Sequence, residues 1–68
     1  MNAHTIFKEL SKESFWAGYS DKVRWCAARY YAGVEGVDDL QARGRVVCEW
    51  QRVPVLTEAE IRMIIQLR

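Results

Sequence analysis

The length of the chain, 68 residues, limits its possible folds most strongly. A domain of this size has room for one hydrophobic core and buries only about 60% of the surface that its unfolded chain exposes. Such a core rarely supplies more than about 3 to 5 kcal/mol of stability by itself. Half of the residues are apolar, and three Trp, three Tyr and two Phe provide large faces for a core. We therefore predict one folded domain over residues 1–68, further stabilised by self-association or by a partner surface.

The spacing of apolar residues predicts an all-α fold, a compact bundle of four or five short helices. The first helix places four apolar residues on one face, namely Ala3, Ile6, Phe7 and Leu10. It either continues to Gly18 or ends earlier, with Ser11 capping a second short helix. The sequence leaves both alternatives open.

Two helices are predicted in the middle of the chain. The first starts at Ser20 and Asp21, a good capping pair, and stops at Gly33. Its apolar stripe holds Val23, Cys26, Ala27 and Tyr30. Trp25 and Tyr31 fall off this stripe, so the helix is either buried on several sides or presents an aromatic side chain outward. A short helix over 37–43, closed by Gly44, follows.

The last predicted helix begins with a capping box formed by Thr57 and Glu60, and Leu56 is placed to pack against Ile61 as a hydrophobic staple. Its apolar face is wide and needs covering. A homodimer through this face is a further prediction, and the residues that would form it are Ile61, Ile64 and Ile65.

Residues 45–53 are ambiguous between helix and strand. Val46, Cys48 and Trp50 alternate as in a half-buried strand, whereas Val46, Trp50 and Val53 also fit one helix face. No other segment offers an obvious partner strand, and no hairpin turn of the Asn-Gly type occurs. We favour a helix, and the alternative is an α+β fold with a short strand or hairpin around residues 45–53.

Charge and composition indicate a cytoplasmic protein. Ten basic and nine acidic residues give a formal charge of +1, which removes the electrostatic case for a general nucleic-acid or membrane-surface binder. No window approaches the 18 apolar residues of a membrane span. Cys26 and Cys48 are too few for a secreted disulfide framework, so we interpret both as reduced, buried, small hydrophobic residues.

The sequence favours a protein without catalysis, metal or cofactor. The one histidine, His4, lies near the start of the sequence and is poorly placed to support a nucleophile. Structural zinc needs four ligands, and His4, Cys26 and Cys48 supply three without the usual spacing. The glycines match no phosphate-binding motif.

Binding is the predicted activity, because Trp, Tyr, Met and Arg are the residue types common at protein interfaces. We predict a module that acts as an inhibitor or adaptor of a larger protein, and at least one Trp is expected to be partly exposed. The candidate partner-binding residues are Trp25, Arg29, Tyr31, Arg45, Trp50 and Arg52.

The alternative function is a small nucleic-acid-binding transcriptional regulator. Cations beside aromatic residues, as in Arg24-Trp25, are able to contact phosphates while the rings stack on bases. This alternative takes a dimeric helix-turn-helix form, with a second helix that carries Arg45 and Arg52.

Overall fold

The computed structural model of the chain describes residues 2–45, 47–48 and 53–67. Contacts group the residues into two compact units, which we call the first unit (1–35) and the second unit (36–68). Five helices in this described part confirm the predicted all-α class and the number of helices; the single domain stays a prediction. The elements in chain order are α1 (Ala3–Lys12), α2 (Ser14–Ala17), α3 (Asp21–Tyr31), α4 (Val37–Arg45), β1 (Val47–Cys48), β2 (Val53–Pro54) and α5 (Glu58–Gln66).

The first two helices are separated by a break at Glu13, whose backbone is extended (ψ 132°). The alternative with a second short helix is therefore correct, but its cap differs from the prediction. Ser11 does not cap α2, because its hydroxyl donates a hydrogen bond to the Phe7 carbonyl at 2.8 Å within α1. Glu13 is the N-cap of α2 and makes no side-chain capping bond.

The boundaries of α3 confirm the prediction. The Ser20 hydroxyl oxygen accepts a hydrogen bond from the Val23 amide at the start of the helix. At the other end Gly33 has a φ of 78°, in the left-handed region that glycine enters without steric cost. Its amide donates to the Tyr30 carbonyl and the Val34 amide to the Arg29 carbonyl. These two bonds are those of a Schellman motif, which satisfies the last carbonyls of the helix.

The first unit is built by packing α1 against α3 and α2. Ala27 and Ala28 are fully buried, and their small side chains allow neighbouring groups to approach α3 closely. Cys26 is buried and free, as predicted, while the Cys48 side chain lies outside the described residues. The buried apolar residues of this unit are Leu10, Trp16, Val23, Cys26, Ala27 and Ala28.

In the second unit α4 packs against α5, and one glycine lies between them. The sequence predicted that Gly44 closes α4, but the helix continues to Arg45. A Cβ atom at Gly44 would lie 2.9 Å from the Cδ1 atom of Ile61. Gly44 is therefore a position of close helix approach and not a helix stop.

The start of α5 confirms the predicted capping box. The Thr57 side chain accepts from the Glu60 amide at 3.1 Å, and the Glu60 carboxylate accepts from the Thr57 amide at 2.8 Å. Leu56 and Ile61 are both buried, as the predicted staple requires. With Leu40 and Ile64 they form the buried apolar set of the second unit.

The helix favoured for residues 45–53 is wrong beyond Arg45, the last residue of α4, because the described residues there are strands. Val47–Cys48 and Val53–Pro54 form an antiparallel pair, with Val47 opposite Pro54 and Cys48 opposite Val53. The partner strand thought to be missing is thus the stretch that ends in the proline, and β2 also contacts α4. Val46 and the predicted site residues Trp50 and Arg52 lie outside the described residues.

Candidate functional site

The predicted partner-binding residues lie in both units. Trp25, Arg29 and Tyr31 are on α3 in the first unit, and Arg45 is the last residue of α4 in the second. The remaining two, Trp50 and Arg52, fall outside the described part of the chain. Each unit therefore has to be considered by itself.

Trp25 contributes to the packing between α1 and α3. Its ring centroid lies 4.0 Å from that of Phe7, with the planes 6° apart, and the His4 ring stacks at 6.0 Å. The side chain is partly exposed, which confirms the expectation that one Trp is not fully buried. Much of the ring surface that was predicted to meet a partner is used within the unit.

Arg29 and Arg24 both have partners inside the first unit. The Nε atom of Arg29 donates to the Glu35 carboxylate at 2.9 Å, and its Nη2 atom lies 3.6 Å from the Cys26 sulfur. Arg24 forms an ion pair with Asp21, and its side chain is only 14% exposed. Its Nη1 atom donates to the Trp16 carbonyl at 3.0 Å. Both guanidinium groups are therefore engaged within the first unit, and Lys22 is the cation of α3 without an ion pair among the described residues.

Tyr31 belongs to a second group of aromatic rings. It meets Trp16 edge to face at 6.3 Å, and Trp16 also contacts Phe15 and Tyr19. Phe15 is the most exposed ring of this group, with 51% of its surface accessible. Tyr31 therefore packs beside the buried Trp16, whereas the predicted neighbour Trp25 packs on Phe7.

An open groove of about 410 Å³ lies in the second unit, on α4 and α5. Its apolar part consists of Gly44, Ile61 and Ile65, and the polar side chains around it come from both helices. The polar lining residues are Gln41, Arg45, Glu58 and Arg62. Gly44 lets the Ile61 side chain approach α4 closely, because a Cβ atom at Gly44 would lie 2.9 Å from Ile61 Cδ1.

The charges around the groove are unevenly paired. Arg62 donates to the Glu58 carboxylate at 3.2 Å one helical turn away, and both side chains are well exposed, at 63% and 89%. Arg45 is exposed and has no partner among the residues that the structure describes. Of the predicted site residues that the structure describes, Arg45 is the one with a guanidinium free to bind a ligand.

Sequence reasoning found parts of this groove but not the groove itself. It predicted an apolar face with Ile61 and Ile65 on the last helix. It missed the role of Gly44, which was interpreted as a helix stop. The sequence did contain a signal that α4 continues past Gly44. Arg45 follows Gly44, and a basic residue is favourable at the C-terminal end of a helix.

The residues predicted to form a homodimer are mostly buried in the second unit. Ile64 is fully buried and Ile61 is 9% exposed, so both pack within their own unit. Ile65 is partly exposed and lines the groove. Part of the apolar face of α5 therefore packs within the second unit, where α5 contacts α4, and the homodimer itself stays a prediction.

The described residues contain no group of three or more His, Cys, Asp or Glu side chains that could hold a metal ion. None of the helices in residues 2–45 and 53–67 is long and apolar enough to cross a membrane.

Comparison of the chain with models of protein families, with curated proteins and with solved structures found no match.

Proposed function

We propose that this chain is a protein-binding module of the cytoplasm, which acts as an inhibitor or adaptor of a larger protein and performs no catalysis. The observation that carries the proposal is the groove on α4 and α5, with Ile61 and Ile65 in its floor and the unpaired Arg45 at its edge. An apolar centre with a polar border is the usual anatomy of a protein interface, and Arg is enriched there. A cytoplasmic location agrees with the free thiol of Cys26, since thiols stay reduced in that compartment.

Among the described residues, the side chains best suited to catalysis are engaged elsewhere. His4 stacks on Trp25, and the buried Cys26 lies against the Arg29 guanidinium. Neither lines the groove. A binding role uses the groove as it stands, whereas a catalytic role would need these groups to leave their partners.

Two observations weaken the nucleic-acid-binding alternative. Its cations on α3, Arg24 and Arg29, are paired with carboxylates, which lowers the positive charge available to phosphates. Its second helix would have to cross Val47–Cys48, and the backbone there is extended. We therefore place protein binding first and keep nucleic acid as an outcome of the test.

The test is a pull-down with the tagged full chain from a lysate of the native host, with the tag alone as control. Parallel samples are treated with nuclease and washed at low and moderate salt. The proposal predicts a protein partner that survives both treatments and binds the purified chain at a fixed stoichiometry in calorimetry. Recovery of nucleic acid that is lost as salt rises would favour the regulator, because phosphate contacts weaken steeply with salt.

Self-association is the second form of binding that the sequence predicts. Since Ile61 and Ile64 are buried, a dimer through α5 would have to use Ile65 and the 54% exposed Leu67. Analytical ultracentrifugation of the chain and of the Ile65→Ser and Leu67→Ser variants tests this. A dimer that these substitutions dissociate supports the prediction, and a monomer at all concentrations contradicts it.

A further inference from the structure

We propose that the groove on α4 and α5 binds a short peptide segment of a partner protein in which an apolar side chain stands next to a carboxylate. This inference rests on the proposed function, because it names the kind of segment that a protein partner would present. It follows from the shape of the floor and from the charges at the edge.

The floor of the groove fits an apolar side chain. Ile61 and Ile65 lie one helical turn apart on α5, and Gly44 faces them from α4 without a side chain of its own. The volume, about 410 Å³, lies at the lower end of the range of ligand pockets, about 300 to 1,000 Å³. An apolar side chain placed there would remove the exposed part of Ile65 from water, which is favourable.

The edge of the groove fits a carboxylate. Arg45 has no partner in the described residues, and its planar guanidinium binds carboxylates through two parallel hydrogen bonds. Arg62 is held by Glu58 in an exposed pair of a kind that contributes little to stability, so it is able to turn toward a second carboxylate. The groove thus offers two cations against one anion.

The same charges favour a peptide over a nucleic acid. Glu58 is 89% exposed on the groove edge, and its negative charge opposes a chain of phosphates more strongly than a single carboxylate. A sugar-phosphate backbone also has no apolar group that would fill the floor at Ile61 and Ile65.

The experiment selects peptides from a random phage-displayed library on the full chain. Enriched sequences are expected to share an apolar residue beside Asp or Glu. A labelled synthetic peptide of the shared sequence is then titrated with the chain and its variants by fluorescence anisotropy. Arg45→Glu and Ile65→Ser should each weaken binding at least about tenfold, the loss expected when a hydrogen bond to a charged group or a buried apolar contact is removed.

Two matched controls separate the groove from general effects. Lys22→Glu makes the same change of charge on the exposed part of α3, and Val34→Ser makes the same kind of apolar-to-polar change at an exposed residue of the first unit, outside the groove. Both should leave the affinity unchanged. Circular dichroism of each variant verifies that the helices are retained.

Several results would overturn the inference. These are a library selection that enriches nothing, enriched peptides without acidic residues, and unchanged affinity in Arg45→Glu and Ile65→Ser. Displacement of the peptide by a single-stranded oligonucleotide that binds more tightly would assign the groove to nucleic acid. The proposed function fails separately, when the full chain captures no protein from the lysate.

Discussion

The stacked pair of Phe7 and Trp25 is predicted to stabilise the contact between α1 and α3 by a measurable coupling energy. The two ring centroids are 4.0 Å apart and the planes are nearly parallel. Aromatic pairs in such contact contribute about 0.5 to 1.5 kcal/mol beyond the area they bury. A thermodynamic cycle of Phe7→Leu, Trp25→Leu and the double variant isolates that term.

Leucine replaces both rings in this cycle because alanine would remove too much of the total stability of the chain. Truncating a fully buried Trp to Ala costs about 3 to 5 kcal/mol, as much as the whole stability expected of a chain of this size, and the partly exposed Trp25 would lose a large part of that. Leucine keeps apolar volume between the helices, and we expect each single variant to lose about 1 to 2 kcal/mol. Urea denaturation followed by far-ultraviolet circular dichroism measures the free energy of unfolding of all four proteins.

The control cycle pairs Trp25→Leu with Phe15→Leu. The Phe15 ring contacts Trp16 and Tyr19 in the same unit, so its loss should add to that of Trp25 within about 0.3 to 0.5 kcal/mol. A Phe7–Trp25 coupling energy no larger than that of the Phe15 control cycle would refute the argument. The Trp25 ring would then be available to a partner.

Three further predictions concern single residues. Ser20→Ala should lower the free energy of unfolding by about 1 kcal/mol because it removes the N-cap of α3. Ser11→Ala, inside α1, should leave the free energy of unfolding unchanged or raise it slightly. Equal urea midpoints for the two variants would contradict this. Gly33→Ala should lower the free energy of unfolding by about 1 kcal/mol. The left-handed backbone costs a residue other than glycine about 1 to 2 kcal/mol, and the lower conformational entropy of the unfolded Ala variant offsets part of that cost. A thermal midpoint at or above that of the natural chain would argue against it. Ile64→Ala should lower the free energy of unfolding by about 2 to 5 kcal/mol, so that circular dichroism shows much of the chain unfolded at room temperature. An intact spectrum with full stability would mean that Ile64 is not in the core.

The helix boundaries could be predicted where they depend on local chemistry. Ser20 and the Thr57–Glu60 pair bond to amides three residues away, and Gly33 supplies a φ that other residues avoid. Such bonds are encoded within a few neighbouring positions. The sequence therefore identified these starts and stops without knowledge of the fold.

The errors came from contacts between distant residues. Gly44 resembled a helix stop, and its real role depends on Ile61, which lies 17 positions further along the chain. The strand at Val47–Cys48 forms because Val53–Pro54 returns beside it, a pairing that periodicity could not show.

The candidate site was predictable only in part for the same reason. Arg45 was identified from its residue type, but the groove at its side requires α4 and α5 to pack at Gly44. Arg24 looked like a free cation beside Trp25, and only the fold places it against Asp21 and the Trp16 carbonyl. The types of side chain predicted a protein-binding surface. Tertiary packing determines which of those side chains are free to contact a partner.

The most direct test of the central claim is a nuclear magnetic resonance titration of the labelled full chain with the purified protein partner. Backbone amide shifts are recorded for both units. We predict that the largest early changes fall on Gly44, Arg45, Ile61 and Ile65, which line the groove. Changes confined to residues of the first unit, with these four amides unmoved, would contradict the assignment of the groove as the binding site.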